Sequence, residues 1–145
     1  MVRRKEREKD LHDRACADIA KARFNFPNTE HPTWKTFVNE PEQMMGVPSR
    51  EHPHGDTMYP DVVVVETQKN TLEMLGEIET ESSVNQEETK QWTDYSTVCE
   101  TFYLYVPKGY GPAAKRLLTD NKIRYPGLRE YSYDAQGKIA IANVA

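Results

Sequence analysis

Cysteine is scarce in this chain. Cys16 and Cys99 are the only two, and they form no C-x-x-C pair. They read as two buried thiols of a reducing compartment rather than as a redox or disulfide motif. No apolar run approaches the roughly 20 residues that a membrane-spanning helix needs. The charged start, Met1-Val2-Arg3-Arg4-Lys5-Glu6-Arg7, leads into no apolar signal region, so the expected address is the cytoplasm, with no membrane partner. There is no glycine-rich phosphate loop, no nucleophile-elbow serine and no Cys-His pairing marked by its surroundings. Basic excess is also missing. The net charge of −4 and pI of about 5.6 argue against a nucleic-acid binder that works through bulk charge alone.

What is there suits one soluble domain. The chain has 145 residues, 37% hydrophobic and 29% charged, enough for a single core. Its charge is uneven. Basic residues crowd the start and punctuate the last third, while much of the acid lies between Glu73 and Glu100.

The spacing predicts a helix over 4–23, with Leu11, Ala15, Ile19 and Ala22 as its apolar stripe. A strand is expected at 34–38. Residues 41–59, rich in proline and glycine, read as a loop with a short helical turn near 42–45. Two apolar strands follow at 60–66 and 72–80. Ser83-x-x-Gln86 matches a capping box, placing a helix start at Ser83 and its end near Cys99. A strand at 102–106, a helix at 113–119, a short strand at 122–125 and a terminal hairpin at 130–144 complete the chain. The expected fold is α/β: a central mixed sheet with helices on both faces, then a C-terminal helix and hairpin, all in one domain.

Three acids stand out. Asp61 opens Asp61-Val62-Val63-Val64-Val65-Glu66, and Glu77 and Glu79 end Leu75-Gly76-Glu77-Ile78-Glu79. A fold-back centred on Lys69 sets Asp61 opposite Glu77. Glu79 then shares Glu77's face, because side chains along a strand repeat every two residues. Carboxylates gathered on an apolar hairpin repel one another and lose hydration, and a hard cation removes both penalties. This expectation is a Mg2+ or Mn2+ site on Asp61, Glu77 and Glu79, with the Ile78 carbonyl as a further oxygen. The plainer alternative is a solvated strand end.

Twelve residues after Glu79 comes Gln91-Trp92-Thr93-Asp94-Tyr95, where Gln91 and Tyr95 share one helix face. A Pro-Asp starting one strand, a Glu-x-Glu ending the next and a helix with Gln-x-x-x-Tyr together resemble the PD-(D/E)xK, or restriction endonuclease-like, nuclease superfamily. The helix motif is similar to that of its RecB-type branch. The resemblance covers about residues 4–106, with 107–145 as decoration on an αβββαβ core. It implies a metal-dependent endonuclease or exonuclease that hydrolyses phosphodiester bonds in nucleic acid, with DNA the expected substrate and a homodimer the expected assembly. Asp61 and Glu77 would be metal ligands, and Gln91 and Tyr95 would hold substrate or local geometry. The family often adds an acid or histidine from its first helix, a place that Glu8 or His12 can fill. Where the family has lysine, this chain has Glu79, which can accept a proton or contact metal but cannot supply positive charge.

Two other readings stand beside the nuclease. One is a catalytically inactive nuclease-fold module that binds nucleic acid or a protein partner. The other is an interaction protein that dimerises through its tail hairpin. A second cluster, Glu51-His52-Pro53-His54-Gly55-Asp56, offers ligands for a transition metal, contacts to substrate, or only an exposed loop.

Overall fold

The computed structural model describes residues 2–49 and 56–144, with side chains from Glu6 onward. The His52 and His54 motif therefore lies outside the described residues. A long helix opens the chain: α1, Val2–Arg23. Ala15, Cys16, Ile19 and Ala20 are buried on it, whereas Leu11 is 38% exposed and Ala22 is exposed. The expected stripe is thus right at its centre and rotated at its ends. Small side chains let the helix lie close against the sheet, and the face that turns inward one helical turn before Cys16 carries His12 rather than Leu11.

Six strands form one sheet. They are β1 (Trp34–Val38), β4 (Val62–Glu66), β5 (Thr71–Ile78), β6 (Phe102–Pro107), β7 (Gly127–Tyr133) and β8 (Ile139–Asn143). Their spatial order is β1-β4-β5-β6-β7-β8. The pairs β1/β4, β4/β5 and β7/β8 are antiparallel, while β5/β6 and β6/β7 are parallel. Parallel neighbours require crossovers, and helices α2 (Thr89–Val98) and α3 (Gly111–Asp120) supply them. Trp92, Tyr95, Ala114 and Leu118 pack with Val63, Leu75, Leu104 and Leu128 on one face. Ala15, Cys16 and Ile19 pack with Val62, Val64, Ile78 and Tyr105 on the other. The protein is therefore a single α/β domain with a mixed sheet covered on both faces, as the patterning predicts. No helix among the described residues is long and apolar enough to cross a membrane.

Gly76 explains how tightly α1 docks. A Cβ there would stand 3.0 Å from the Phe24 ring and 3.3 Å from Val62 Cβ. The absent side chain lets Phe24, just past the helix, rest on the strand. The Thr36 hydroxyl, donating to the Phe24 carbonyl, fastens the same corner.

Three local expectations fail. No helical turn forms at 42–45. Instead the buried Asn39 side chain accepts from Met44 N and Met45 N and donates to Met45 O and Pro60 O, holding the loop open against the start of β4. Beyond it, β2 (Val47–Pro48) and β3 (Thr57–Met58) make a two-stranded ribbon. The second helix begins at Thr89, not Ser83. The Ser83 hydroxyl accepts from Thr80 N–H and donates to Glu79, so it closes the capping box of a 3-10 turn at Glu81–Ser83 instead of starting the long helix. Residues 122–125 form no strand. Lys122 adopts φ 54°, which breaks extended backbone there, and the next strand starts at Gly127.

Candidate metal centre

The register predicted for the hairpin holds where it matters. Val62 pairs with Gly76, which sets Asp61 against Glu77; the turn pairs Glu66 with Thr71, and the bulge near Glu73 shifts the register by the one residue that this opposition needs. The two acids then lock the strands together through the backbone. Asp61 N–H donates to Glu77 Oε1 at 3.2 Å, and Ile78 N–H donates to Asp61 Oδ2 at 2.8 Å. Both acids are buried, at 5% and 6% exposure. Pro60, fixed by Asn39, delivers Asp61 to this point.

Glu79 follows on Glu77's face but has a different environment. Its Oε2 accepts from the indole of Trp92 at 2.7 Å, and its Oε1 accepts from Ser83 Oγ at 2.8 Å. Its backbone is held by Tyr105 O and by the Tyr131 hydroxyl. Both carboxylate oxygens thus already have donors. This is a fixed, buried acid at the wall of the site.

Helix α2 brings Gln91 and Tyr95 to the same cleft, as their four-residue spacing requires. Gln91 stands at its rim. With its amide nitrogen turned to the acids, it donates to Glu77 Oε2 at 3.2 Å and to Glu88 Oε2 at 3.1 Å. Tyr95 is buried below it in the core, edge-on to Phe102. Sequence reasoning missed Glu88, whose carboxylate gathers with Glu77 and Glu79. Only the tight turn from Asn85 to Thr89, with Asn85 Oδ1 accepting from Glu88 N–H, points it there.

Helix α1 contributes most on the opposite side. His12 Nε2 lies 3.1 Å from Asp61 Oδ2 and 2.9 Å from the Ile78 carbonyl oxygen. Glu8, one turn earlier, sits at the rim and accepts from Ser82 Oγ. Of the two candidates on this helix, His12 reaches Asp61. Lys9, unforeseen in the sequence, also lines the cleft and is ion-paired with Asp13 at 2.8 Å.

The cleft has a volume of about 760 Å³. Glu8, Glu40, Asp56, Asp61, Glu77, Glu79, Glu88 and Asp94 line it, against Lys9 as the one lysine or arginine among the described residues. Burial, then the charges of Asp61 and Glu79, raise Glu77 well above the usual carboxylate range. Burial also lifts Glu79 to about 7, although the Trp92 hydrogen bond opposes it. Glu88 and Glu40 are raised by burial and then by Asp61. For His12, burial acts downward, but the hydrogen bond and charge of Asp61, with Glu40 and the Ile78 carbonyl, lift it from 6.5 to about 9. Tyr95 is raised by burial and then by Glu77 and Asp61. This pattern belongs to a site short of positive charge.

A divalent cation suits these residues. Cis ligands about 2.1 Å from an octahedral ion lie about 3.0 Å apart, close to the spacings from His12 Nε2 to Asp61 Oδ2 and Ile78 O. Behind the ring, His12 Nδ1 faces Asp13 Oδ1 at 4.0 Å, and that buried oxygen has no hydrogen-bond partner. A carboxylate behind the far nitrogen is the usual support of a metal-bound histidine.

No family model matches the chain, and no curated protein or solved structure matches it either.

Proposed function

We propose that the cleft holds Mg2+ or Mn2+ on Asp61, Glu77, His12 and the Ile78 carbonyl, and that the protein is a metal-dependent nuclease of the PD-(D/E)xK kind acting on DNA. The convergence of His12 Nε2, Asp61 Oδ2 and Ile78 O beside Glu77 carries this reading. When bound, such a cation supplies Lewis acidity at a phosphodiester and lowers the pKa of water. The protein's own groups do the rest. Asp61 and Glu77 bind the ion and fix the strand ends. Gln91 orients Glu77. Glu79, with Trp92 and Ser83 on its oxygens, positions the wall of the site rather than replacing the family's lysine. Lys9, freed from Asp13, offers its ammonium to the phosphate, which the surrounding carboxylates would otherwise repel.

One observation favours the second reading, an inactive module that binds nucleic acid or a protein. Glu79 stands where positive charge is expected, and both its oxygens are engaged.

Titration calorimetry with Mn2+, paired with plasmid nicking, tests the proposal. The wild type should bind Mn2+ and nick DNA, and Asp61→Asn should do neither. Mn2+ binding without nicking supports the inactive module. Absence of binding at millimolar Mn2+ removes both the metal centre and the nuclease.

A further inference from the structure

One nitrogen of His12 faces three other groups. Besides Asp61 Oδ2 and Ile78 O, Cys16 Sγ lies 3.6 Å from His12 Nε2. Cys16 is one helical turn beyond His12 and fully buried, so the thiol approaches from beneath the cleft. Ligand atoms of His12, Cys16 and Asp61 all lie within 4.8 Å of one another. A ring nitrogen carries one proton or one lone pair and cannot satisfy three neighbours with good hydrogen-bond geometry. A cation at their centre satisfies all three.

The donor set decides which cation. Nitrogen, sulfur and oxygen together suit a borderline-soft ion, while Mg2+ has little affinity for thiolate. In a tetrahedral zinc site, with Zn–N near 2.0 Å and Zn–S near 2.3 Å, nitrogen and sulfur lie about 3.6 Å apart and nitrogen and oxygen about 3.4 Å. The observed nitrogen–sulfur separation is 3.6 Å, and the nitrogen–oxygen separations, 3.1 Å to Asp61 and 2.9 Å to the Ile78 carbonyl, have to widen by a few tenths of an ångström to reach that geometry. The Asp13 carboxylate, 4.0 Å behind His12 Nδ1, stands on the side from which a metal-bound histidine is usually supported.

We propose that His12, Cys16 and Asp61, closed by the Ile78 carbonyl, form a tetrahedral Zn2+ site whose occupation excludes the catalytic Mg2+ or Mn2+. The thiol gives up its proton to solvent when the Zn–S bond forms, and no oxidation is involved. Four protein ligands leave no open position, which makes the zinc form inhibitory. The site shares His12 and Asp61 with the centre proposed above and rests on that reading only for its inhibitory consequence.

Co2+ tests this without relying on activity. Reduced wild-type protein titrated with Co2+ should show a near-ultraviolet thiolate-to-cobalt absorption that Zn2+ bleaches. Cys99→Ser should keep the band. Cys16→Ser, close to isosteric, should lose it, with Zn2+ affinity falling by more than the ~10–100-fold typical of a supporting-residue change. Mn2+ binding to Cys16→Ser reports the nuclease centre separately and should change little. A wild type with no thiolate band, or a Cys16→Ser protein that binds Zn2+ as tightly as wild type, overturns the zinc site. Zn2+ that binds through Cys16 but fails to displace Mn2+ overturns the exclusion.

Discussion

His12 Nε2 sits 3.1 Å from Asp61 Oδ2, tying the first helix to the start of a strand 49 residues later. Around this contact the sheet ends of β4 and β5, the turn into α2 and the buried face of α1 all present acids or their partners. Without a cation the arrangement is electrostatically costly, and that cost is measurable.

Stability of the metal-free protein should fall as pH rises. Glu79 is raised from 4.5 to about 7, so its contribution is complete below pH 4.5 and lost as pH passes 7. His12, raised from 6.5 to about 9, contributes fully below pH 6.5 and loses this as pH passes 9. For Glu79 alone the loss is on the order of 3 kcal/mol. Melting curves from pH 4.5 to 9 should therefore slope downward. Added Mn2+ should raise Tm little at pH 5 and increasingly toward pH 8, where the carboxylates ionise to meet it. A Mn2+ effect that shrinks with rising pH contradicts the assignment.

Glu79→Gln should separate position from charge. Glutamine can still accept from Trp92 and meet the Ser83 hydroxyl, yet it no longer ionises in a buried place. The metal-free variant should be more stable than wild type at pH 8, by up to about 3 kcal/mol, with a flatter pH profile. Chemical denaturation at pH 5 and pH 8 reads both.

Much of this centre was legible from residue order. The Asp61–Glu77 opposition is the one that a fold-back about Lys69 gives, but the chain reaches it by another route: the turn pairs Glu66 with Thr71, which alone would set Asp61 opposite Gly76, and a bulge at Glu73 that the sequence does not show moves the register by one residue. Glu8 and His12 are equivalent in the sequence. Only the rotation of α1, set by Ala15, Cys16 and Phe24 on the sheet, puts His12 against Asp61 and leaves Glu8 at the rim. Ser83 reads as a helix cap from its spacing to Gln86, but its hydroxyl is taken by Glu79 and by the capping box of the 3-10 turn. Lys9, Cys16 and Glu88 carry no motif, and they come near the buried acids only once α1, the sheet and the turn into α2 meet.

Gly76→Ala should destabilise the protein by about 1–3 kcal/mol, since a methyl group there overpacks against Phe24 and Val62. If α1 shifts in response, His12 moves with it. Mn2+ affinity should then fall in a variant altered well away from any ligand. Denaturant unfolding and calorimetry on the same sample check both effects.

Lys9→Met should lower DNA cleavage while leaving Mn2+ affinity unchanged or slightly higher, because the substitution removes a positive charge from an acidic cleft. Equal cleavage rates for Lys9→Met and wild type would rule out the phosphate-contact role of Lys9.

The most direct measurement is anomalous diffraction from crystals soaked in Mn2+. The account predicts a peak within ligand distance of Asp61, Glu77, His12 Nε2 and the Ile78 carbonyl oxygen, absent in Asp61→Asn. Crystals with no peak in this cleft, or with Mn2+ bound only elsewhere, would contradict it.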